Sequence, residues 1–246
     1  MNSDGSGTER LKSSRTRGYT DPSWSPDGAT IAFTILRVGE TQRDFDSSIA
    51  AIDADDGGNL RRLTRPGGPD ELNPNWSPDA TTIAFERNRL FDRRQSDIWL
   101  MNADGAGKRR ITATRSYETN PTFSPDGTRI AFTSDRSGTS AVYTMATDGS
   151  DVRRLTPDWL PAGQPQWSPD MRLAFADGFC ATCGESDIWV MNADGSGATQ
   201  VTNTAENELP GGWSKDGTRI VVDFSTLTPG HLSKGDIAVV AVASGA

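Results

Sequence analysis

The sequence has very little of the chemistry that catalytic centres usually need. It contains one histidine, His231, and no Gly-x-Ser-x-Gly sequence of the kind that forms the nucleophile elbow of hydrolases. A triad built on His231 would need a serine and a carboxylate that no motif singles out, and one imidazole cannot replace a metal centre made of several. We therefore interpret His231 as an exposed loop residue and expect no enzymatic activity and no cofactor.

Cysteine is also scarce, with only Cys180 and Cys183 in the whole chain. A structural zinc site needs four ligands, usually with a second Cys or His pair that this sequence lacks. We expect a disulfide between the two cysteines that staples one loop, which would favour an oxidising compartment. Free thiols, or a metal or redox role for the pair, are the alternatives.

Long apolar runs and excess positive charge are missing as well. No run of eighteen apolar residues occurs, so no membrane span is expected, and no basic-then-apolar signal peptide is present in this chain. The formal net charge of −8 argues against a nucleic-acid partner. The Asp-rich stretch that begins at Asp53 has Thr64 where a calcium-binding EF-hand needs glutamate, so it is interpreted as a hairpin turn without metal.

What the sequence does contain is a fivefold repeat. An aromatic residue followed by Ser-Pro-Asp or Ser-Lys-Asp returns at intervals of 52, 47, 44 and 46 residues. These aromatic residues are Trp24, Trp76, Phe123, Trp167 and Trp213. A period in the forties is typical of β-propellers and related repeat arrays.

Each repeat carries four strand signals, named A to D in chain order. Strand A holds the aromatic residue, B is an Ile-Ala-Phe-like run, C is an Ile-Trp-x-Met-like run and D is an Arg-Arg-Leu-Thr-like run. Pro-Asp-Gly between A and B, and Asp-Gly between C and D, favour tight hairpin turns. Since four short antiparallel strands make one blade, the pattern predicts an all-β fold in which residues 1–246 form a single β-propeller of five four-stranded blades.

The strand count also predicts how the ring closes. Strands A, B and C occur five times, whereas only four D strands lie inside the chain and a fifth, Glu9–Lys12, stands near the N-terminus. We expect this N-terminal strand to complete the last blade, which would leave no open sheet edge. A six-bladed parent with one blade missing is the alternative.

The combination of Pro-x-Trp-Ser-Pro-Asp-Gly, Ile-Ala-Phe, Asp-Ile-Trp-x-Met-Asn-Ala-Asp-Gly and Leu-Thr resembles the WD40-like repeat of TolB-type β-propellers, from Met1 to about Val242. Such repeats occur in the periplasmic Tol–Pal component, in propeller domains of prolyl-oligopeptidase-type enzymes and in other secreted bacterial proteins. The resemblance implies a monomeric, periplasmic or secreted module that binds a protein or peptide without catalysis. The alternative is a carbohydrate-binding, hydrolytic or lyase propeller that acts on a small ligand at the channel mouth.

Candidate binding residues lie where the D–A and B–C loops share one end of the propeller. Three glutamates are predicted to form an exposed acidic arc at the channel mouth, namely Glu71, Glu118 and Glu208. Polar residues of the A strands are predicted to line the channel, namely Ser23, Asn75, Thr122 and Gln166. Phe91 and Arg93 in the second B–C loop are predicted to anchor a partner, because exposed aromatic and arginine side chains dominate many interfaces. The alternatives are a merely solvated charged face, and a Phe91 that packs on its own blade.

Overall fold

The computed structural model describes residues 8–37, 46–89, 92–178, 185–225, 227–228, 231–232 and 236–242. Within these ranges the chain is built of β-strands and turns, and no helix there is long and apolar enough to cross a membrane. The strands form five antiparallel blades that follow one another around a ring. The predicted all-β, five-bladed propeller is therefore confirmed.

In blades 1 to 4 the spatial order of the four strands is their order along the chain. Blade 1 comprises β1 (Arg17–Trp24), β2 (Thr30–Arg37), β3 (Asp46–Asp53) and β4 (Arg61–Arg62). Blade 2 comprises β5 (Glu71–Trp76), β6 (Thr82–Arg89), β7 (Asp92–Asn102) and β8 (Arg109–Arg110).

The next three blades repeat this arrangement. Blade 3 comprises β9 (Glu118–Phe123), β10 (Arg129–Ser134), β11 (Ala141–Ala146) and β12 (Arg153–Arg154). Blade 4 comprises β13 (Ala162–Trp167), β14 (Arg172–Asp177), β15 (Ile188–Asn192) and β16 (Thr199–Gln200). Blade 5 comprises β17 (Asn207–Trp213), β18 (Arg219–Ser225) and, after the short hairpin of β19 (Leu227–Thr228) and β20 (His231–Leu232), β21 (Asp236–Ala241).

The Ser-Pro-Asp turn joins the first two strands of a blade through its own side chains. In blade 3 the Ser124 hydroxyl donates to the Asp126 carboxylate at 2.6 Å and accepts the Arg129 N–H at 3.0 Å. Asp126 also accepts the Thr128 N–H at 3.0 Å, and these bonds hold its pKa below the ordinary value. The same Ser–Asp bond occurs in the other four blades, so this pair explains why the motif recurs.

The aromatic residue of each inner strand packs against the preceding blade. Trp76 lies in one apolar cluster with Ala32, Ile49 and Leu63 of blade 1, and Phe123, Trp167 and Trp213 occupy the same place at the next three junctions. The side chains of Trp76, Phe123 and Trp167 are buried, and that of Trp213 is partly buried. The inner-strand aromatic residue therefore fills the junction between neighbouring blades at four places in the ring.

The fifth junction, between blade 5 and blade 1, is not packed by the described residues and is called the seam here. Trp24 on blade 1 is 58% exposed, and Val221, Ile237 and Val239 on blade 5 are 40%, 76% and 59% exposed. The residues at the equivalent positions of blade 2 are at most 2% exposed, namely Ala84, Ile98 and Leu100. Among the described strands, β1 and β17 do not lie side by side as closely as the inner strands of the other neighbouring blades do.

The predicted closing strand differs from the structure in its pairing. Residues 9–12 form no strand, and the sheet of blade 5 has three strands in the described part of the chain. Leu11 instead packs on blade 1, where its carbonyl oxygen lies 2.5 Å from the point that a Cβ of Gly57 would occupy. The carbonyl oxygen of Leu63, in the D segment of blade 1, approaches Gly105 of blade 2 in the same way. The N-terminal segment therefore lies against blade 1 where the D strand of a preceding blade would lie, but it does not pair with β21.

Two equivalent tryptophans should therefore differ in their contribution to stability. We expect Trp76→Ala to lower the free energy of unfolding by about 3–5 kcal/mol, because it empties a buried junction. Trp24→Ala should change it by only about 0.5 kcal/mol, as is usual for surface positions. Urea denaturation followed by fluorescence measures both values, and an equal loss in the two variants would mean that the seam is closed in solution.

The Ser-Pro-Asp turn makes a second prediction. Asp126→Ala removes the acceptor of three hydrogen bonds and should cost about 1 kcal/mol at neutral pH, or roughly 2–4 °C in melting temperature. Because the folded-state pKa of Asp126 is lowered, this contribution is present above the ordinary value of 3.8 and is lost as pH falls through the folded pKa. Lys215→Ala, an exposed change in the equivalent turn of blade 5, is the control and should melt like the parent protein at every pH.

Candidate functional site

The predicted site lies at the end of the propeller where the inner strands begin and the second strands end. We call this end the loop face. Glu71 and Glu118 are the first residues of β5 and β9, and Glu208 is the second residue of β17. All three are buried, with 3%, 0% and 0% exposure. The expected exposed acidic arc is therefore absent, which corrects the sequence-based interpretation of these glutamates.

The buried glutamates are held by groups of their own blades. The Lys108 ammonium donates to the Glu71 carboxylate at 3.2 Å. The Glu118 carboxylate forms an ion pair with Arg136 and accepts the Thr114 hydroxyl at 2.9 Å. These bonds explain how carboxylates stay at nearly dry positions, since buried charge is tolerated only when it is paired or hydrogen-bonded.

Glu208 occupies the same position in blade 5 and has fewer bonds. One carboxylate oxygen accepts the Thr204 hydroxyl at 2.7 Å, and the other has no hydrogen-bond donor among the described residues. Its backbone N–H is held by Ser186 of blade 4. A partner could reach this carboxylate only if the loop face rearranged.

Several predicted residues cannot be placed. Phe91, Cys180 and Cys183 lie outside the described residues, so the partner anchor and the disulfide stay predictions. Arg93 belongs to β7 and His231 to β20, but only their backbone placement is described.

The residues predicted to line the channel lie in the inner strands, each directly before the aromatic residue. The Asn75 side-chain oxygen accepts the Phe123 N–H at 2.8 Å, and the Ser23 hydroxyl accepts the Trp76 N–H at 3.4 Å. Thr122 is buried, and Gln166 is partly buried and accepts the Trp213 indole N–H through its backbone oxygen at 3.1 Å. Three of these four residues therefore bond the next blade, and their contact with a channel ligand stays a prediction.

The sequence analysis missed a set of residues with left-handed backbone in the inner strands. Each of them directly precedes a proline and lies where the pairing of the first and second strands shifts register. Their φ angles are 51–53°, and the residues are Asp21, Asn73, Asn120 and Gln164. A residue before proline normally stays extended, but Asn and Asp tolerate the left-handed region better than most residues. The signal available in the sequence was a polar residue before the same proline in four repeats.

The backbone N–H groups of three of these left-handed residues donate hydrogen bonds to side chains in the second strand of the preceding blade. Asn73 donates to the Thr34 hydroxyl at 3.2 Å, and Gln164 donates to the Thr133 hydroxyl at 2.9 Å. At the junction of blades 2 and 3 the acceptor is instead a carboxylate, because Asn120 donates to Glu86 at 3.2 Å.

Glu86 is consequently an ionisable group at the position that holds threonine in blades 1 and 3, namely Thr34 and Thr133. Burial raises the pKa of Glu86 to about 7, and the nearby Asp21 carboxylate also raises it, against the hydrogen bonds from Asn73 and Asn120. The described residues contain no group of three His, Cys, Asp or Glu side chains that could hold a metal ion.

One accessible feature of the loop face is a basic cavity on blade 1, which we call the arginine pocket. It has a volume of about 110 Å³ and is lined by Arg17, Ile35, Arg37, Asp46, Ser48, Arg62 and Pro66. The three arginines stand at the ends of β1, β2 and β4, and all three are exposed.

Within the described part of the chain, the polar contacts of the pocket include no ion pair to its arginines. Arg62 donates to the Ser48 hydroxyl at 3.2 Å, and Asp46 accepts the Gly67 N–H at 2.7 Å. None of the ion pairs formed by described residues includes Arg17, Arg37 or Arg62. The loop face thus buries the three glutamates of the inner strands and presents guanidinium groups at blade 1.

Comparison with known proteins agrees with this architecture. Residues 72–172 match the PD40 family, described as the TolB beta propeller domain. The solved structure of TolB from Acinetobacter baumannii superposes with a TM-score of 0.74 at 22% identity, covering 97% of this chain and 55% of that one. The resemblance to TolB-type propellers is confirmed.

Two curated relatives are similar over part of the chain. The "Tol-Pal system protein TolB" of Anaeromyxobacter dehalogenans (strain 2CP-1 / ATCC BAA-258) is 35% identical over 112 residues, which is 45% of this chain and 22% of that protein. The "Uncharacterized peptidase YuxL" of Bacillus subtilis (strain 168) is 36% identical over 93 residues, which is 38% of this chain and 14% of that protein. The chain therefore spans less than a quarter of either relative.

Glu86 gives a pH-dependent prediction. Because its folded-state pKa is about 7 and its ordinary value is 4.5, the folded protein keeps a proton that the unfolded chain loses, so this group costs stability as pH rises from about 4.5 to 7. Glu86→Gln should match the parent at pH 4 and exceed its free energy of unfolding at pH 8 by up to about 3 kcal/mol.

The control is Glu185→Gln, which neutralises an exposed glutamate. Urea denaturation across this pH range measures all three proteins. A Glu86→Gln variant that is less stable than the parent at pH 8 would contradict the assignment.

Proposed function

We propose that this chain is a non-enzymatic, TolB-like propeller module that binds a protein or peptide through its loop face. The observation that carries the proposal is the match of residues 72–172 to the TolB beta propeller domain, together with the 35% identity to a protein of the Tol-Pal system. The location that we propose, the periplasm or the cell exterior, rests on the same relatives.

The distribution of charge supports the loop face as the binding surface. Glu71, Glu118 and Glu208 are buried there, and the first two are neutralised within their own blades. Three exposed arginines of blade 1, in contrast, line an open cavity, namely Arg17, Arg37 and Arg62. Arginine is enriched in protein interfaces because its planar fork forms several hydrogen bonds at once. An acidic segment of a partner is the natural complement of this surface.

The opposite end of the propeller is a poorer binding surface. It carries the Ser-Pro-Asp turns and the Asp-Gly hairpins, and the aspartates of those turns are bonded to neighbouring Ser or Thr hydroxyls and backbone N–H groups. Their conformation is fixed by local bonds, which leaves fewer unsatisfied polar groups for a ligand.

The proposal is tested by capture from an extract of the native cell envelope with matched charge reversals. Arg17→Glu alters the loop face at the first residue of β1, and Lys215→Glu makes the same change in an exposed turn at the other end. We expect one envelope protein to bind the parent and Lys215→Glu, and to bind Arg17→Glu at least tenfold more weakly. Equal melting temperatures must first establish that both variants are folded.

Other outcomes would count against the proposal. Loss of the partner with Lys215→Glu alone would place binding at the opposite end. Hydrolysis of peptide or glycan substrates by the purified chain, abolished by His231→Ala, would replace a binding module with an enzyme.

A further inference from the structure

We propose that the arginine pocket of blade 1 is a carboxylate-binding site, in which an acidic group of the ligand completes an ion pair that the described residues of this blade do not form. The inference rests on the proposed function, because it names the chemistry of the group that the loop face would recognise. It is carried by a comparison of the same position in the four complete blades.

In three blades the side chain of the second residue of the outermost strand forms a hydrogen bond or an ion pair with an aspartate. Arg110 in blade 2 donates to Asp97 at 2.7 Å, and Gln200 in blade 4 donates to Asp187 at 2.9 Å. In blade 3 the equivalent Arg154 pairs with Asp158.

Blade 1 is the exception among these four. Strand pairing places Arg62 opposite Ala50, as Arg110 lies opposite Trp99, so Ser48 stands where blade 2 has Asp97. Arg62 therefore meets a neutral hydroxyl, at 3.2 Å, in the place of a carboxylate.

A second carboxylate is missing from the same blade. The position that holds Glu71 in blade 2 and Glu118 in blade 3 is Tyr19 in blade 1, which packs edge-on against Phe33 with 5.6 Å between ring centroids. Arg17 and Arg37 also face each other directly across β1 and β2, an arrangement that costs stability in the absence of an anion.

The pocket accordingly holds three positive charges and one negative charge from Asp46. An arginine fork binds a carboxylate through two parallel N–H···O bonds, and such charge-assisted bonds are the stronger class. A carboxylate fits the available volume together with a water molecule, and it is the group that the equivalent arginine of blade 2 already binds.

The test is a titration of the whole chain with acetate, at ionic strength held constant with chloride, followed by NMR of the arginine Nε–H groups. We expect saturable shifts of Arg17, Arg37 and Arg62, and a dissociation constant at least tenfold higher for Arg62→Gln. Arg61→Gln removes the same charge from the neighbouring exposed residue of β4, which does not line the pocket, and should leave the affinity unchanged.

Ser48→Asp provides the decisive variant, because it restores within the chain the carboxylate that blade 2 has. Acetate binding should disappear while the melting temperature is kept or raised. Since Ser48 is buried and the substitution could impair folding, Arg17→Gln at an exposed position serves as the second variant and should weaken binding severalfold. Shifts that chloride reproduces, or that persist in Ser48→Asp and Arg17→Gln, would overturn the proposal.

Further probes identify the kind of acidic group. Inorganic phosphate that binds more tightly than acetate would overturn the assignment to carboxylate. N-acetyl-Ala-Glu-Ala-amide, compared with its Gln counterpart, reports a side-chain carboxylate, and N-acetyl-Ala-Ala-Ala with a free C-terminus reports a terminal one. Either result supports the site and tells the two sources apart.

The proposed function and this inference fail in different ways. If acetate binds but no envelope protein does, the carboxylate site is supported and the proposed protein-binding function is contradicted. If a partner binds Ser48→Asp as tightly as the parent protein, the protein-binding function is supported, and the arginine pocket is not the surface that contacts the partner.

Discussion

Each blade is a thin sheet, and the whole structure depends on packing both faces of that sheet against neighbouring blades. The Ile-Ala-Phe run of the second strand meets this need by alternation, because its large residues face the preceding blade and its small residue faces the following one. The central alanine is fully buried in blades 1 to 4, at Ala32, Ala84, Ala131 and Ala174. The small side admits the inner-strand aromatic residue of the next blade, so neither partner could be changed alone without a gap or a clash.

This regularity is why the fold could be predicted from the sequence. Turn chemistry, strand alternation and the repeat period are local signals, and each appears in several copies that support one another. The pairing of the N-terminal segment was not predictable in the same way. Leu11 satisfies the apolar requirement of a D strand against blade 1, but pairing with β21 depends on how closely two chain-distant blades approach.

The sequence placed Glu71, Glu118 and Glu208 correctly at the loop face, but their burial was not predicted. Whether Glu118 is exposed depends on Arg136, in the turn that follows β10, and that contact cannot be read from the spacing of the glutamates. The left-handed residues before proline and the ionisable Glu86 were missed because each acts through a neighbouring blade. The arginine pocket was visible in principle, since Tyr19 and Ser48 replace acidic residues of equivalent positions, but only a residue-by-residue comparison of repeats reveals it.

The seam has a consequence for how the molecule comes apart. In a stack of repeats, stability is approximately a sum of the stability of each repeat and of its contacts with neighbours, so a blade with two packed junctions is held more firmly than a blade with one. Blades 1 and 5 each have one packed apolar junction in the described part of the chain, and blade 1 gains additional cover from Leu11. Opening should therefore begin at blade 5 and spread inward, which makes amide hydrogens of β21 the fastest to exchange and those of blade 3 the slowest.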